Sequence, residues 1–310
     1  MPKVAILGSS GFVGTNLREA LAADQRWTVF GLDRRAPREE FSEQYLERCD
    51  LLDYANLESI MRYIRPDHVV HLAAQSRVEP SIRDPIETYR LNVEATLNVM
   101  RACTAAKAGH LVVASSETVF GRQRSYPSPE SNDFSPDSPY AASKAAVDVL
   151  AQQFDRVTPT CVVRSGMGWG PRQDPSAQVV ARFITNAIRG EPLIVHGDGS
   201  QTRDLNHVDD FCAGIVRILE KKASGVYNLS GGREYSVLEI AKRVNAVVDN
   251  GSDVVADPSY TLRGDQRSFR TWLDVGKAER ELGHKPTRHL EGNELAQVVN
   301  WYSQNLDYWT

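Results

Sequence analysis

The chain has 310 residues, 41% hydrophobic and 25% charged, enough for one large α/β unit or two tightly joined domains with a sizeable core. Its net charge of -4 argues against generic nucleic-acid binding. No apolar run approaches the roughly 20 residues that span a bilayer, so neither a nucleic-acid nor a membrane partner is expected. Cys49, Cys103, Cys161 and Cys212 are scattered without a C-x-x-C pair. They argue against a zinc or other metal site and against a disulfide framework, and read as buried free thiols in a reducing compartment. Residues 4–7 already read as a strand with no charged-then-apolar leader before them, which predicts a cytoplasmic protein.

In chain order, strand-like residues 4–7 precede a helical pattern over 14–23, and 28–32 form a second strand. Residues 68–72, 111–114 and 161–164 read as further buried strands, with helices over 92–106 and 140–154 between them. Short apolar strands separated by helices predict a Rossmann-type, doubly wound parallel sheet. The Pro-, Ser- and Asp-rich stretch 122–139 runs straight into a helix and reads as an ordered active-site loop. Beyond it, Gly and Pro turns are more frequent and helical patterns cover 237–248 and 290–304, as in a smaller, mixed α/β substrate-binding lobe over the carboxyl edge of the sheet. The expected division is 1–165 for the dinucleotide domain, with parts of 205–230, and 166–310 mainly for the lobe.

Gly8-Ser9-Ser10-Gly11-Phe12-Val13-Gly14 follows the first strand and opens a helix. Glycines there let the chain turn tightly and approach a pyrophosphate, the last lets helix pack on strand, and the helix N-terminus offers N–H donors to the phosphates. Gly8, Ser10, Gly11, Phe12 and Val13 are therefore candidate cofactor contacts. Asp33 ends the second strand, where a carboxylate accepts ribose hydroxyls and repels a 2′-phosphate. That favours NAD over NADP, although Arg34 and Arg35 follow and could pair with such a phosphate. The competing reading is an ordinary glycine-rich turn with Asp33 as a surface charge.

Tyr140-Ala-Ala-Ser-Lys144 puts a phenol and an ammonium on one helix face. The ammonium, together with a positive nicotinamide, would lower the phenol's pKa so that it can take a hydroxyl proton as hydride leaves the same carbon. Ser116 ends the apolar run 111–114 plus Ser115, at the carboxyl edge where open α/β sheets bind ligands. It reads either as a hydrogen-bonding partner of the substrate oxygen or as a strand-end cap.

Taken together, Gly8 to Gly14, His71-Leu-Ala-Ala74, Ser115-Ser-Glu-Thr-Val-Phe-Gly121 and Tyr140 to Lys144 occur in the order of the extended short-chain dehydrogenase/reductase superfamily. The chain resembles its NAD-dependent epimerase/dehydratase family. Gly170-Pro-Arg-Gln-Asp174, Gly197 to Asp204, His207-Val-Asp-Asp210 and Arg263-Gly-Asp265 extend the likeness over nearly the whole chain. The resemblance implies Ser116, Tyr140 and Lys144 as the catalytic group, Asp50 and Leu51 beside the adenine, and Leu72, Ala73 and Ala74 along the cofactor. It also implies a nucleotide-diphosphate sugar as substrate. Arg203 and Arg263 fall where similar enzymes hold the diphosphate, a good match of guanidinium fork to phosphate, with surface salt bridges as the other reading. His196 falls where an aromatic stacks on the base, and Val180 would line the same pocket.

Two departures bear on the reaction. Met167 stands where similar enzymes carry an asparagine that touches the diphosphate or sugar. Similar 4,6-dehydratases have a glutamate two residues after the catalytic hydroxyl to remove the C5 proton; here that residue is Thr118, and the one acid is Glu117. An NDP-sugar 4-epimerase, with a UDP-hexose as the expected substrate and tightly held NAD, is the leading reading. A 4,6-dehydratase using Glu117 and an NADPH-dependent 4-ketoreductase are the alternatives. A homodimer is expected through the helices 92–106 and 140–154, which similar enzymes pair. Ala95, Leu97, Val99, Ala102 and Ala105 on one, and Ala141, Ala145, Ala146, Val149 and Leu150 on the other, exceed what a single buried face needs.

Overall fold

A computed structural model describes residues 1–39, 44–122, 125–249, 251–257 and 270–309. In it, apolar runs of four to six residues become buried strands: β1 (Lys3–Leu7), β2 (Thr28–Asp33), β4 (His68–His71), β5 (Leu111–Ala114) and β6 (Thr160–Arg164). With β3 (Gln44–Arg48) and β10 (Gly225–Asn228) they form a seven-stranded sheet in the order β10-β6-β5-β4-β1-β2-β3. Every pairing in it is parallel. The strand order reverses between β1 and β4, the crevice where doubly wound sheets bind ligands.

Helices cover both faces. On one lie α1 (Phe12–Ala23) and α8 (Val208–Lys221), whose Leu17, Leu21, Phe211 and Ile215 meet Val4, Ile6 and Val163. On the other, α2 (Tyr54–Ile64), α5 (Ala95–Ala106) and α6 (Pro139–Phe154) bury Leu57, Met61, Val99 and Val147 against Ala5, Val69 and Val113. Between β4 and α5 the chain makes two short helices, α3 (Val78–Arg83) and α4 (Pro85–Tyr89), which pack beside α6. Asp53 caps α2 by accepting from Asn56 N–H at 3.1 Å; Ser138 caps α6 by accepting from Ala141 N–H at 3.2 Å, with Pro139 at the first helical position.

The smaller lobe holds β7 (Met167–Trp169), α7 (Val179–Ile188), β8 (Leu193–His196), β9 (Thr202–His207), β11 (Glu234–Ser236), α9 (Val237–Val248), β12 (Val254–Asp257) and α10 (Gly292–Gln304). Its strands form a three-stranded sheet, β11-β9-β7, and a β12-β8 pair. A separate core of Trp169, Phe183, Ile184, Tyr235, Ile240 and Tyr302 fills it. All four cysteines are buried and none is in a disulfide. No helix among the described residues is long and apolar enough to cross a membrane.

Three expectations need correction at their edges. The first helix begins at Phe12 rather than at residue 14, and the last at Gly292 rather than at 290. The helix expected over 92–106 is regular only from Ala95; Arg90–Glu94 form a π turn. Asn92 lies in that turn, its side chain reaching back to the loop after β4 instead of facing solvent, and such wide turns recur at functional sites.

Candidate active site

At the switch point the chain approaches itself too closely for side chains. Gly8 has φ of +90°, and a Cβ there would lie 2.6 Å from Ala73 N; a Cβ on Gly14 would lie 2.1 Å from the Gly8 carbonyl oxygen. The carbonyl of Leu7 accepts from both Leu72 and Ala73 N–H, at 2.9 and 3.0 Å, so the turn after β1 and the Leu72-Ala73-Ala74 segment form one wall. Gly11 precedes α1 with no side-chain cap, leaving first-turn N–H groups to face an anion. Asp33 is buried at the end of β2; its two oxygens accept from Ser10 N–H at 3.0 Å and from Arg35 N–H at 2.9 Å. That ties the glycine turn to the ribose-side loop and leaves lone pairs on both oxygens. Arg34 is exposed there, as is Asp50, while Leu51 is buried and fixed by Asn98, which donates to its carbonyl at 3.0 Å. A glycine cradle that any Cβ would fill, a carboxylate at its rim and an uncapped helix start fit a dinucleotide.

Ser116, Tyr140 and Lys144 converge beside this wall and are all buried. Ser116 opens a 3-10 turn, Glu117–Phe120, and its Oγ receives bonds from Thr118 N–H at 3.2 Å and Thr118 Oγ1 at 3.0 Å. The Tyr140 phenol lies close enough to the same hydroxyl for Ser116 to lower its pKa. One turn on, Lys144 Nζ donates to the Ala114 carbonyl at 2.8 Å. Burial pushes the Tyr140 phenol up, with Ser116 opposing and the Glu117 charge adding to the rise. The expected lowering is therefore not a property of the protein groups alone, because desolvation outweighs them. Burial likewise pulls Lys144 down to about 8, and Asp148 opposes it.

Around Glu117 and the strand β9 the site is lined by titratable groups. Burial first, then the charge of Asp204, pushes Glu117 up to about 8, against the pull of Arg203 and a bond from Thr271. Its Oε2 is buried without a hydrogen bond among the described residues. Burial carries Asp204 up to about 7 and lowers the Arg203 guanidinium. Asp204 accepts from Leu273 N–H at 2.9 Å and its own N–H donates to Thr271 at 3.0 Å, which fixes the strand β9 against residues 271–273. Met167 is half-buried on β7, paired in register with Leu205 and packed on the lobe core. Val180 is 1% exposed within that core. His196 ends β8, half-buried, its carbonyl held by Gln201 at 3.1 Å. Arg263 lies outside the described residues.

Some contributors were not anticipated. Asn92 accepts from Gln75 N–H at 2.7 Å, donates to the Gln75 carbonyl at 3.0 Å and donates to Ser143 Oγ at 2.8 Å, joining the cofactor wall to the Tyr140 helix. An asparagine at the head of a helical run, where helix propensity is poor, was the available signal. Arg77 pairs with Asp174 at 2.7 Å between the loop after β4 and the loop after β7. Thr271 follows the undescribed segment, and no local pattern marks it.

This arrangement defines an extended short-chain dehydrogenase/reductase: a Rossmann-like sheet, a glycine cradle, and a Ser–Tyr–Lys group at the carboxyl edge. The comparisons agree. The GDP-mannose 4,6 dehydratase family model matches residues 5–294, and the chain belongs to that family of NAD-dependent nucleotide-sugar epimerases and dehydratases. A dTDP-glucose 4,6-dehydratase of Streptomyces antibioticus is 34% identical over 266 residues, covering 84% of this chain and 77% of that protein. The crystal structure of UDP-glucose 4-epimerase from Thermotoga maritima, with UDP-glucose, superposes with a TM-score of 0.92 at 27% identity, covering 98% of this chain and 100% of that one. The dTDP-glucose 4,6-dehydratase DesIV of Streptomyces venezuelae, solved with NAD, gives 0.87 at 29% identity, covering 99% and 98%.

Proposed function

We propose that the chain is an NDP-hexose 4-epimerase that holds NAD, with a UDP-hexose as its substrate. One observation carries the choice of reaction: residue 118 is a threonine whose hydroxyl is spent on Ser116 at 3.0 Å. Loss of water across C5 and C6 needs a base for the C5 proton and an acid for the leaving hydroxyl. Of the two acids described there, Asp204 is held by Leu273 N–H at 2.9 Å, and Glu117, pushed up to about 8, is neutral at pH 7 and a poor base there.

Gly8, Gly11, Asp33 and the Leu72-Ala73-Ala74 wall would hold NAD, which supplies a reversible hydride acceptor. Tyr140 as phenolate takes the C4 hydroxyl proton, Ser116 donates to the same oxygen, and the Lys144 ammonium favours the phenolate. Epimerisation then asks only that the 4-keto sugar turn its other face and that Tyr140 return the proton. Neutral Glu117 is a hydrogen-bond donor toward the sugar. Arg203 and Arg263 are assigned to the diphosphate, His196 and Val180 to the base. A 4,6-dehydratase is the second reading, favoured by Glu117 as a ready acid and by the activity of the curated relatives. Incubation with UDP-, GDP-, CDP- and dTDP-hexoses and chromatography of the products tests the proposal. Interconversion of a C4 pair supports it; a 4-keto-6-deoxy product overturns it.

We also propose a homodimer. Ala95, Val99 and Ala102 of α5, and Ala141 and Ala145 of α6, are buried by the chain's own core, which narrows the expected contact. The exposed apolar surface is Leu97 (42%) and Val149 (49%), with Ile82, Ile86 (68%) and Tyr89 of α3 and α4 beside α6. Light scattering at micromolar concentration is expected to give twice the chain mass, and Leu97→Glu with Val149→Glu to give a monomer. A monomeric unmutated protein contradicts the assignment.

A further inference from the structure

Beneath the candidate catalytic group lies a second, fully buried charged cluster that the reaction as proposed does not use. Tyr140, Lys144 and Asp148 follow one another at four-residue spacing on α6 and so stack on one face, about 5.4 Å per turn. The Asp148 side chain is 0% exposed and accepts four bonds: Ser115 Oγ at 2.7 Å, Arg164 Nε at 2.8 Å and Nη2 at 3.1 Å, and Gln152 Nε2 at 2.6 Å. Arg164 lies against the rings of Phe120 and Phe134, at 5.0 and 4.9 Å, and gives its remaining fork to the Glu130 carbonyl at 2.7 Å. Ser115 adjoins Ser116, and Lys144 bonds the carbonyl of Ala114. A single carboxylate thus touches the strand end that carries the hydroxyl and the helix that carries the phenol and the ammonium.

A buried ion pair is weak as a source of stability, since well-packed apolar side chains of similar volume often serve as well. Its place suggests another use. We propose that Asp148 is a positioning and charge-setting residue for the proton-transfer group, holding Lys144 as an ammonium inside a dry site while bolting the Ser115-Ser116 strand end to the catalytic helix. The inference rests on the reading of Tyr140 and Lys144 as that group.

The groups facing Lys144 make Asp148 the one that can do this. His71, on β4, is pushed down to about 3 by burial and then by the Lys144 charge itself, so it is neutral at working pH. Its Nε2 is engaged by Thr96 at 2.9 Å. Tyr140 and Glu117 are both pushed up, and neutral Glu117 adds no anion at pH 7. Arg164 is cationic and faces Asp148 rather than Lys144. Asp148 alone opposes the desolvation of Lys144. Without it, a buried lysine drifts toward neutrality several pH units below its ordinary value.

The test reads Lys144 directly. In the NAD-loaded protein with lysine labelled at Cε, the Lys144 signal is assigned by its loss in Lys144→Arg and followed by NMR against pH. It is expected to titrate near pH 8 in the unmutated protein, at least about one pH unit lower in Asp148→Asn, and near its original position in Asp148→Glu. In step with this, the alkaline limb of the kcat profile moves to lower pH while KM changes little. A variant that melts earlier but titrates Lys144 unchanged reduces Asp148 to a structural role and overturns the proposal. Should Asp148→Asn strand the Arg164 cation and fail to fold, Asp148→Asn with Arg164→Met removes both charges and is expected to shift Lys144 the same way. An unmutated protein whose Lys144 is already neutral at pH 7 overturns the proposal with no variant at all. Because the NMR readout needs no substrate, its failure leaves the function standing, whereas near-normal turnover by Tyr140→Phe overturns the function and not the titration.

Discussion

The two halves of the cleft are made of different materials. The cofactor half is backbone: a turn at φ of +90° on Gly8, a helix start without a cap, and one carboxylate, Asp33, held by two N–H groups. The half assigned above to the sugar is side chain, and those side chains are titratable and dry. Glu117 and Asp204 stand up to about 8 and 7, and Arg203 is pulled down by the same burial. A backbone cradle does one thing at every pH, whereas a cluster of desolvated acids changes its hydrogen-bonding character across the physiological range. The first half can therefore be shared among enzymes of different reaction, and on the proposed function the second is where one reaction is selected.

The comparison breaks most visibly where the halves meet. Tyr140→Phe is expected to lower kcat by at least about a hundredfold while leaving NAD affinity and melting temperature close to their original values. Steady-state kinetics beside calorimetric titration would show the split; parallel loss of both would mean that Tyr140 is holding the fold.

Next in size is the cradle. Gly14→Ala places a Cβ 2.1 Å from a backbone oxygen that no rotamer can move. It should cost about 1–3 kcal/mol of stability and more than tenfold in NAD affinity, and unchanged NAD binding would show that the helix start is not the phosphate site.

Asp33 sharpens the same half. The unmutated protein is expected to bind NAD at least about tenfold more tightly than NADP, about 1.4 kcal/mol. Because Asp33 also holds Ser10 and Arg35, Asp33→Ser should weaken both cofactors and narrow the ratio between them. A native preference for NADP would move a ketoreductase ahead of an epimerase.

The sugar half gives the smallest but most diagnostic effect. Glu117 has a folded pKa of about 8, above its unfolded value, so between about pH 4.5 and 8 the native state holds the extra proton. Stability then falls as pH rises through that window. Glu117→Gln removes this slope, so its melting temperature should gain on the unmutated protein from pH 5 to pH 8. Parallel curves would mean that Glu117 is ionised in the fold.

The same division governs what could be read from the chain alone. The cradle, Asp33 and the Tyr140–Lys144 pair are set by spacings of a few residues, and the parallel sheet by apolar runs of four to six. These are local signals, and they survive into the structure with shifts of up to three residues at helix starts. Glu117, Asp204, Arg203 and Thr271 meet only because β9 and residues 271–273 fold onto the end of β5, and no spacing encodes that contact. Nor does spacing encode desolvation, which is why the Tyr140 phenol goes up where a neighbouring ammonium suggested down. Asn92 lay inside a helical pattern and showed itself only by breaking it.

The central claim is that the 4-keto sugar is turned over without loss of water, and turnover in heavy water measures that directly. With the nucleotide hexose that the protein accepts, proton and carbon NMR of the product are expected to show inversion at C4, an intact C6 hydroxyl and no deuterium at C5. Deuterium at C5 together with a C6 methyl group would contradict the account and assign Glu117 to a dehydratase.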